Sequence, residues 1–313
     1  MDTKKRGNIG GSLILALTAA IWGVAFIAQS IGGSIGAFSF QGIRCLMGAI
    51  ALLPVIFVKD FIKKKSGAQS ADKSERKDLI IGGLLCGLIL FIAGNLQQFG
   101  LNMGTSPGKS GFITPLYIII IPFIELAMGK KAQIKTFLFA AVSVVGLYLL
   151  CAGEGLGNIC IGDLLTLGCS LSFAFHILVV DHFSVRVDCV KMSCIQFFVC
   201  GALSLACALI FESPTIDGIL ENKIALLYAG IMSCAVAYTL QMIGQKSTPP
   251  TIASMVMSLE SVFAMISNII YPLISTKMEP YFPTPREIIG CVVILGAIFA
   301  AQIPSKSKGV SEE

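Results

Sequence analysis

The sequence predicts an all-α membrane protein of ten transmembrane helices, arranged as two five-helix repeats of opposite orientation. Three observations carry that prediction: the composition, the recurrence of apolar runs, and the placement of Lys and Arg. Of 313 residues, 55% are hydrophobic and 13% charged, where a soluble domain carries roughly 25% charged residues. A bilayer core takes ~20 largely apolar residues as a helix. Runs of that kind fall at 12–31, 38–58, 79–100, 107–128, 136–153, 161–180, 190–211, 224–245, 250–272 and 287–303.

In chain order, the first run, Ser12 to Ile31, is longer than the apolar core of a signal peptide and is retained as a helix. The second carries an arginine, Arg44, about seven residues inside. The polar stretch from Lys59 to Asp78 then separates the second and third runs and is expected to be a loop, too short for a soluble domain. The fourth run opens on Pro107-Gly108 and the ninth on Pro249-Pro250, and proline suits the first turn of a helix. The sixth run contains His176, and the ninth contains Glu260 near its centre. The eleven cysteines have no paired ligand spacing, so they are expected to pack as small apolar residues, with no metal and no cofactor implied.

With the N-terminus placed in the cytoplasm, eighteen of the 23 Lys and Arg fall on the cytoplasmic side and three outside. Cytoplasmic loops hold the Lys/Arg excess in membrane proteins, and a miscounted span would scramble the asymmetry. The expected topology therefore has both termini, 1–10 and 304–313, in the cytoplasm of a plasma-membrane protein.

The halves resemble each other. Asn95-Leu-Gln-Gln-Phe-Gly100 lies over Thr239-Leu-Gln-Met-Ile-Gly244 at an offset of 144, Trp22-Gly23 sits against Phe173-Ala174, and Val142 to Gly146 matches Val292 to Gly296. Because five is odd, the second unit starts on the other side of the membrane and the repeats are inverted. The expected units are 11–153 and 160–303. Inverted halves that exchange conformations convert an inward-open state into an outward-open one, which points to a carrier working by alternating access.

Three segments go further: Ala20-Ile-Trp-Gly23, Gly42-Ile-Arg-Cys45, and Gly100 through Pro107 and Pro115 to Tyr117. With them the chain resembles the EamA-type branch of the drug/metabolite transporter superfamily over about 11 to 303. Two positions depart from that pattern: Ser261, where members often have proline, and Gln196, opposite Arg44. The resemblance implies a ten-helix basket around a central cavity. It implies a secondary transporter, often an exporter, of amino acids, metabolites or drug-like compounds. A channel or a membrane sensor or scaffold is the alternative. No His-Glu-x-x-His, nucleophile elbow or Walker A loop occurs, so an enzyme is not expected.

Candidate cavity residues follow from cost. A charge near the bilayer centre costs ~2.5–3.5 kcal/mol and faces a bundle interior or wet cavity. Glu260 lies on a half of the ninth helix shared with Ser254, Ser258, Ser261 and Ser267; handling of a proton or cation competes with a structural ion pair. For Arg44, a substrate carboxylate competes with structural hydrogen bonds. Asn95, Gln98 and Asn102 share a face, and Tyr238, Gln241 and Gln245 repeat the spacing; both stripes are expected to line the cavity, although they align at 143 instead of 144. Lys109 either snorkels or lines the cavity. His176 is a proton carrier or a packing residue, and Trp22 a stacking platform or an anchor. The expected partners are a small solute and the lipid bilayer, with no nucleic acid; proton coupling and a homodimer stay open.

Overall fold

A computed structural model of the chain describes residues 9–67, 72–105, 107–130, 134–151, 159–274 and 281–302. Among these there are helices and no strand. The first repeat holds α1 (Ile9–Gly32), α2 (Ala37–Lys65) and α3 (Lys73–Asn102). Its fourth span is split into α4 (Pro107–Ile113) and α5 (Tyr117–Ala127) by a 3-10 turn at Thr114–Leu116, and α6 (Ile134–Cys151) ends it. The second repeat holds α7 (Ile161–Ser184), α8 (Cys189–Phe211) and the short α9 (Ile216–Glu221). Its eighth span combines α10 (Lys223–Leu227), a π-helical stretch at Tyr228–Tyr238 and α11 (Thr239–Gln245). The ninth span is split into α12 (Pro250–Met257) and α13 (Leu259–Ile274), and α14 (Pro285–Gln302) closes the chain.

Among the described residues nine helical segments are long and apolar enough to cross a bilayer, and the fifth expected span is the shorter apolar helix Phe137–Cys151. The chain is thus an all-α integral membrane protein of about ten spans. The terminal tails lie outside the described residues, apart from Ile9 and Gly10 in α1.

The polar stretch between the second and third spans corrects the expectation of a loop. α2 runs on through Lys65, and α3 starts at Lys73. At 29 residues α2 is ~44 Å long, well beyond a ~30 Å hydrocarbon core. Its charged tail is made of good helix formers, and Lys63, Lys64 and Lys65 suit the negative end of the helix dipole. Asp72 starts α3 by accepting the Glu75 N–H at 2.7 Å.

The repeats interlock, and the main contacts between them come in corresponding pairs. α2 packs on α8 and α6 on α14, while α3 against α7 is matched by α1 against α11. Glycines mark the close approaches. A Cβ on Gly42 would meet the backbone of Leu205 at 3.0 Å, and one on Gly201 that of Leu46 at 3.0 Å. Gly11 faces Gly244 across α1 and α11, as Gly162 faces Gly100 across α7 and α3. The latter pairs correspond at the offsets of 151 and 144 found in the sequence. For the fifth and tenth spans the register differs from the alignment: Gly146 faces Gly290, and Gly296 has open space.

One extra residue is hidden in the eighth span. Gly87 approaches the Gln196 carbonyl and Val199, and Gly230 approaches the Arg44 carbonyl and Met47, so Gly87 corresponds to Gly230 at an offset of 143. Past the π-helical stretch, Gly100 corresponds to Gly244 at 144. A π-turn accommodates a single inserted residue within a helix, and here it shifts the offset from 143 before the stretch to 144 after it, so the residues past it, Gln241 and Gln245, follow the 144 alignment and not the 143 one.

Candidate functional site

The fourth and ninth spans are broken at equivalent depths, Thr114–Leu116 and Met257–Leu259, 143 residues apart. Pro115 lacks an N–H, and its ring displaces the helix carbonyl four residues earlier. That carbonyl, of Gly111, instead accepts the Ser261 hydroxyl from the other repeat at 2.7 Å. In the ninth span Ser258 Oγ donates to the Met255 carbonyl at 2.7 Å, competing with the helical bond from Leu259. Irregular backbone at this depth is tolerated where it is buried in protein or lines a cavity.

A cavity lies beside the two breaks. Much of its wall is paired by the internal symmetry: Trp22 with Phe173, Phe26 with Ile177, Gln97 with Gln241, and Tyr117 with Glu260. Gln29, Arg44, Ser233 and Tyr238 complete the wall with Thr114 and Met257. Glu260, 6% exposed, sits in the first turn of α13, where a helix N-terminus favours an anion. Its Oε1 accepts the Tyr117 hydroxyl at 3.2 Å. Arg44, 4% exposed, donates from Nε to Gln41 Oε1 at 2.7 Å and stands over the Phe40 ring at 5.5 Å. Trp22 meets Tyr238 edge-on, with ring centroids 4.8 Å apart. Among the described residues the buried Trp22 Nε1 and Gln241 Oε1 have no hydrogen-bond partner.

Of the residues singled out from sequence, Glu260, Arg44, Trp22, Tyr238 and Gln241 stand on the cavity wall. The stripe in the third span does not. Asn95 donates to the Phe91 carbonyl at 2.7 Å and to Ser204 at 3.1 Å, and so faces α8. Gln98 donates to Asn102 at 3.4 Å, and Asn102 is exposed. The residue facing the cavity is Gln97, which donates to Thr114 Oγ1 at 3.2 Å. Neighbours on a helix point about 100° apart, so choosing Gln98 over Gln97 selected another face. The alignment at 144 paired Gln97 with Gln241 and held the signal.

Gln245 donates to the Ile177 carbonyl at 3.0 Å within the packing of α7 and α11. His176 is fully buried, with Nε2 3.0 Å from Gln196 Oε1, and does not line the cavity. Lys109 is not on the cavity wall: an ion pair with Asp163 at 3.1 Å ties the start of the fourth span to α7. Tyr117, Phe26 and Gln29 also stand on the wall; they belong to no polar stripe repeated between the halves, the signal by which uncharged residues of the third and eighth spans were singled out.

The two ends of the bundle are both tied across the repeats. At the end carrying Lys63 to Lys65, Lys59 pairs with Asp188 at 2.8 Å, Lys191 with Asp60 at 2.7 Å and Arg186 with Asp78 at 3.7 Å. At the other end Glu212 accepts from the N–H groups of Phe38 and Ser39 at 2.9 and 2.8 Å, fixing the start of α2. The cavity wall includes Gln29, near the end of α1, and none of the residues of the basic-end ion pairs.

An inverted pair of helical repeats, each with a broken span facing one polar cavity, defines the class of membrane transporters built from internal repeats. A family model described as the EamA-like transporter family matches residues 9–152 and again 160–302, and the chain belongs to that family. A protein of Archaeoglobus fulgidus described as an uncharacterized transporter is 28% identical over 294 residues, covering 92% of this chain and 84% of its own. One from Clostridium kluyveri, described in the same words, is 26% identical over 302 residues and covers 92% of each chain. A solved crystal structure matches with a TM-score of 0.71 at 16% identity, covering 94% of this chain and 96% of its own, a likeness of fold.

Proposed function

We propose that the protein is a secondary transporter that exports a small organic solute, such as an amino acid, a metabolite or a drug-like compound, by alternating access. It works in the plasma membrane with both termini in the cytoplasm, the side that then holds most of the Lys and Arg. The observation that carries the reading is the meeting of two equivalent helix breaks at one cavity furnished with a guanidinium and a carboxylate. Arg44 receives an anionic group of the solute by its planar fork of donors. Glu260 takes a cationic group or a proton, next to a half-helix N-terminus. Trp22 and Tyr238 hold the apolar body.

Comparing the metabolites retained by cells with and without the protein identifies candidate solutes. The purified protein in vesicles preloaded with each candidate then tests the mechanism. Saturable flux accelerated by solute on the opposite side is the expected result, because an alternating carrier returns faster when loaded. Flux that never saturates, with unitary electrical currents, would make the protein a channel.

A further inference from the structure

Eleven cysteines sit in this chain, and two of them meet across the boundary between the repeats. Cys45 of α2 and Cys200 of α8 are fully buried with their sulfurs 3.5 Å apart. The Gln41 amide bridges them, with Nε2 3.3 Å from Cys200 Sγ and 3.7 Å from Cys45 Sγ. The same amide, through Oε1, holds Arg44 Nε at 2.7 Å. A chain of contacts thus runs from the thiol pair to a charged group of the cavity wall. Packing alone would be served by alanine or serine here; the geometry adds a thiol placed against a thiol.

We propose that Cys45 and Cys200 form an oxidisable pair, converted by hydrogen peroxide into a disulfide that joins the two repeats and unseats Arg44. Cys200 Sγ, which accepts from Gln41 and Cys45, is the nucleophile. It attacks one peroxide oxygen, the O–O bond breaks, and its thiol proton leaves with the other oxygen as water, giving a sulfenic acid. Cys45 Sγ then attacks that sulfur, and the hydroxyl departs with the Cys45 proton as a second water. Two thiols have lost two electrons and peroxide has gained them. Peroxide is uncharged and water-sized, and the cavity brings it to Arg44, the chain neighbour of Cys45.

Forming the bond draws the sulfurs from 3.5 Å to ~2.04 Å. A disulfide also has no S–H to donate and is a poor acceptor, so the Gln41 amide loses both sulfur contacts and its hold on Arg44 loosens. The disulfide does not depend on the transport reading, although its effect on solute handling does.

The full-length protein in detergent is treated with hydrogen peroxide, alkylated without reduction, digested and analysed by mass spectrometry. The expected product is a peptide pair joined through Cys45 and Cys200, two hydrogen masses lighter than the separate peptides and released by dithiothreitol. It is absent from Cys200→Ala and from Cys45→Ala, whose melting temperatures report that they remain folded. If, in the unaltered protein treated with peroxide, both thiols are recovered alkylated, the proposal is overturned. The same holds if Cys45 pairs instead with Cys234, which reaches it from the eighth span. In vesicles, peroxide lowers solute affinity about tenfold in the unaltered protein, the loss of one charge-assisted contact, and leaves Cys200→Ala unchanged. A disulfide without that change would retain the thiol pair and overturn its link to Arg44.

Discussion

In the fourth span the helix is interrupted at Pro115, which has no backbone donor, whereas in the ninth it is interrupted at Ser258, whose hydroxyl donates to the Met255 carbonyl. The missing proline donor is covalent. The serine bond by itself does not dictate a break, since Ser254 donates to the Thr251 carbonyl at 2.8 Å inside the continuous α12. Beyond the breaks, the fourth span presents Tyr117 and the ninth Glu260, which hydrogen-bond to each other. The two repeats thus share geometry while differing in the chemistry of the break and in charge.

The largest expected effect comes from removing the charge. Glu260→Gln keeps size and hydrogen-bonding capacity, and losing a charge-assisted contact of ~1.5–3 kcal/mol lowers affinity for a cationic solute, or proton-driven accumulation, by about tenfold or more. Tyr117→Phe changes the same assays only a few-fold. Equal losses in both variants would erase the distinction between the spans.

The internal symmetry predicts a second contrast. A Cβ on Gly290 would meet the Leu150 nitrogen at 2.6 Å and the Gly146 carbonyl at 2.7 Å, while Gly296 has open space. Gly290→Ala therefore destabilises the protein by ~1–3 kcal/mol as α6 and α14 are forced apart. Gly296→Ala leaves the melting temperature unchanged or slightly raised. A neutral Gly290→Ala would mean that the tenth span packs in a different register.

Ser258→Ala tests whether the hydroxyl contributes to the break in the ninth span. With the hydroxyl gone, the helical bond from Leu259 to Met255 can re-form, so thermal stability rises by about 1 kcal/mol. Transport slows at the same time. Faster transport with lower stability would assign Ser258 to packing alone.

The smallest effect belongs to the basic end and serves as a control for pH dependence. Burial pushes the Asp188 carboxyl up, but Lys59 and the N–H groups of Val190 and Lys191 outweigh it and hold its pKa below the usual value of 3.8. A lowered carboxylate pKa stabilises the fold above pH 3.8 and loses that contribution as pH falls through the folded value. The pair is partly exposed, so Asp188→Asn costs less than ~1 kcal/mol at neutral pH and nothing in strong acid. Its effect on unfolding near pH 7 should shrink with added salt. Any pH dependence of transport near neutrality must then arise elsewhere.

Much of the fold was legible because the cost of charge in hydrocarbon is high. Ten apolar runs, Arg44 and Glu260 stand out on that ground, whereas the break at Pro115 was not expected, since Pro54 and Pro122 lie inside continuous helices. The features that stayed hidden depend on angles of one residue. Gln97 and Gln98 are chemically the same and differ only in the face they occupy. The break at Ser258 has no proline or glycine beside it to mark it in the sequence. Lys63 to Lys65 are polar enough to suggest a loop and yet are good helix formers. Gly290 was missed because close packing is a property of two helices at once, while the alignment compared one with the other in isolation.

The inserted residue of the eighth span also sets the phase between the two ends of that span. Each added residue turns the rest of a helix by about 100°, so the two halves of that span are out of phase. The upper half is keyed to α2 by Gly230 against Met47, and the lower to α1 by Gly244 against Leu15. A continuous α-helix would keep both halves in one regular winding. The π-helical stretch interrupts that regular winding, and Ser233 and Tyr238 of the cavity wall stand on it, so the inserted residue sets the angle at which both face the cavity. Deleting one residue from it would put the halves in a single phase and swing Gln241 away from its partner Gln97.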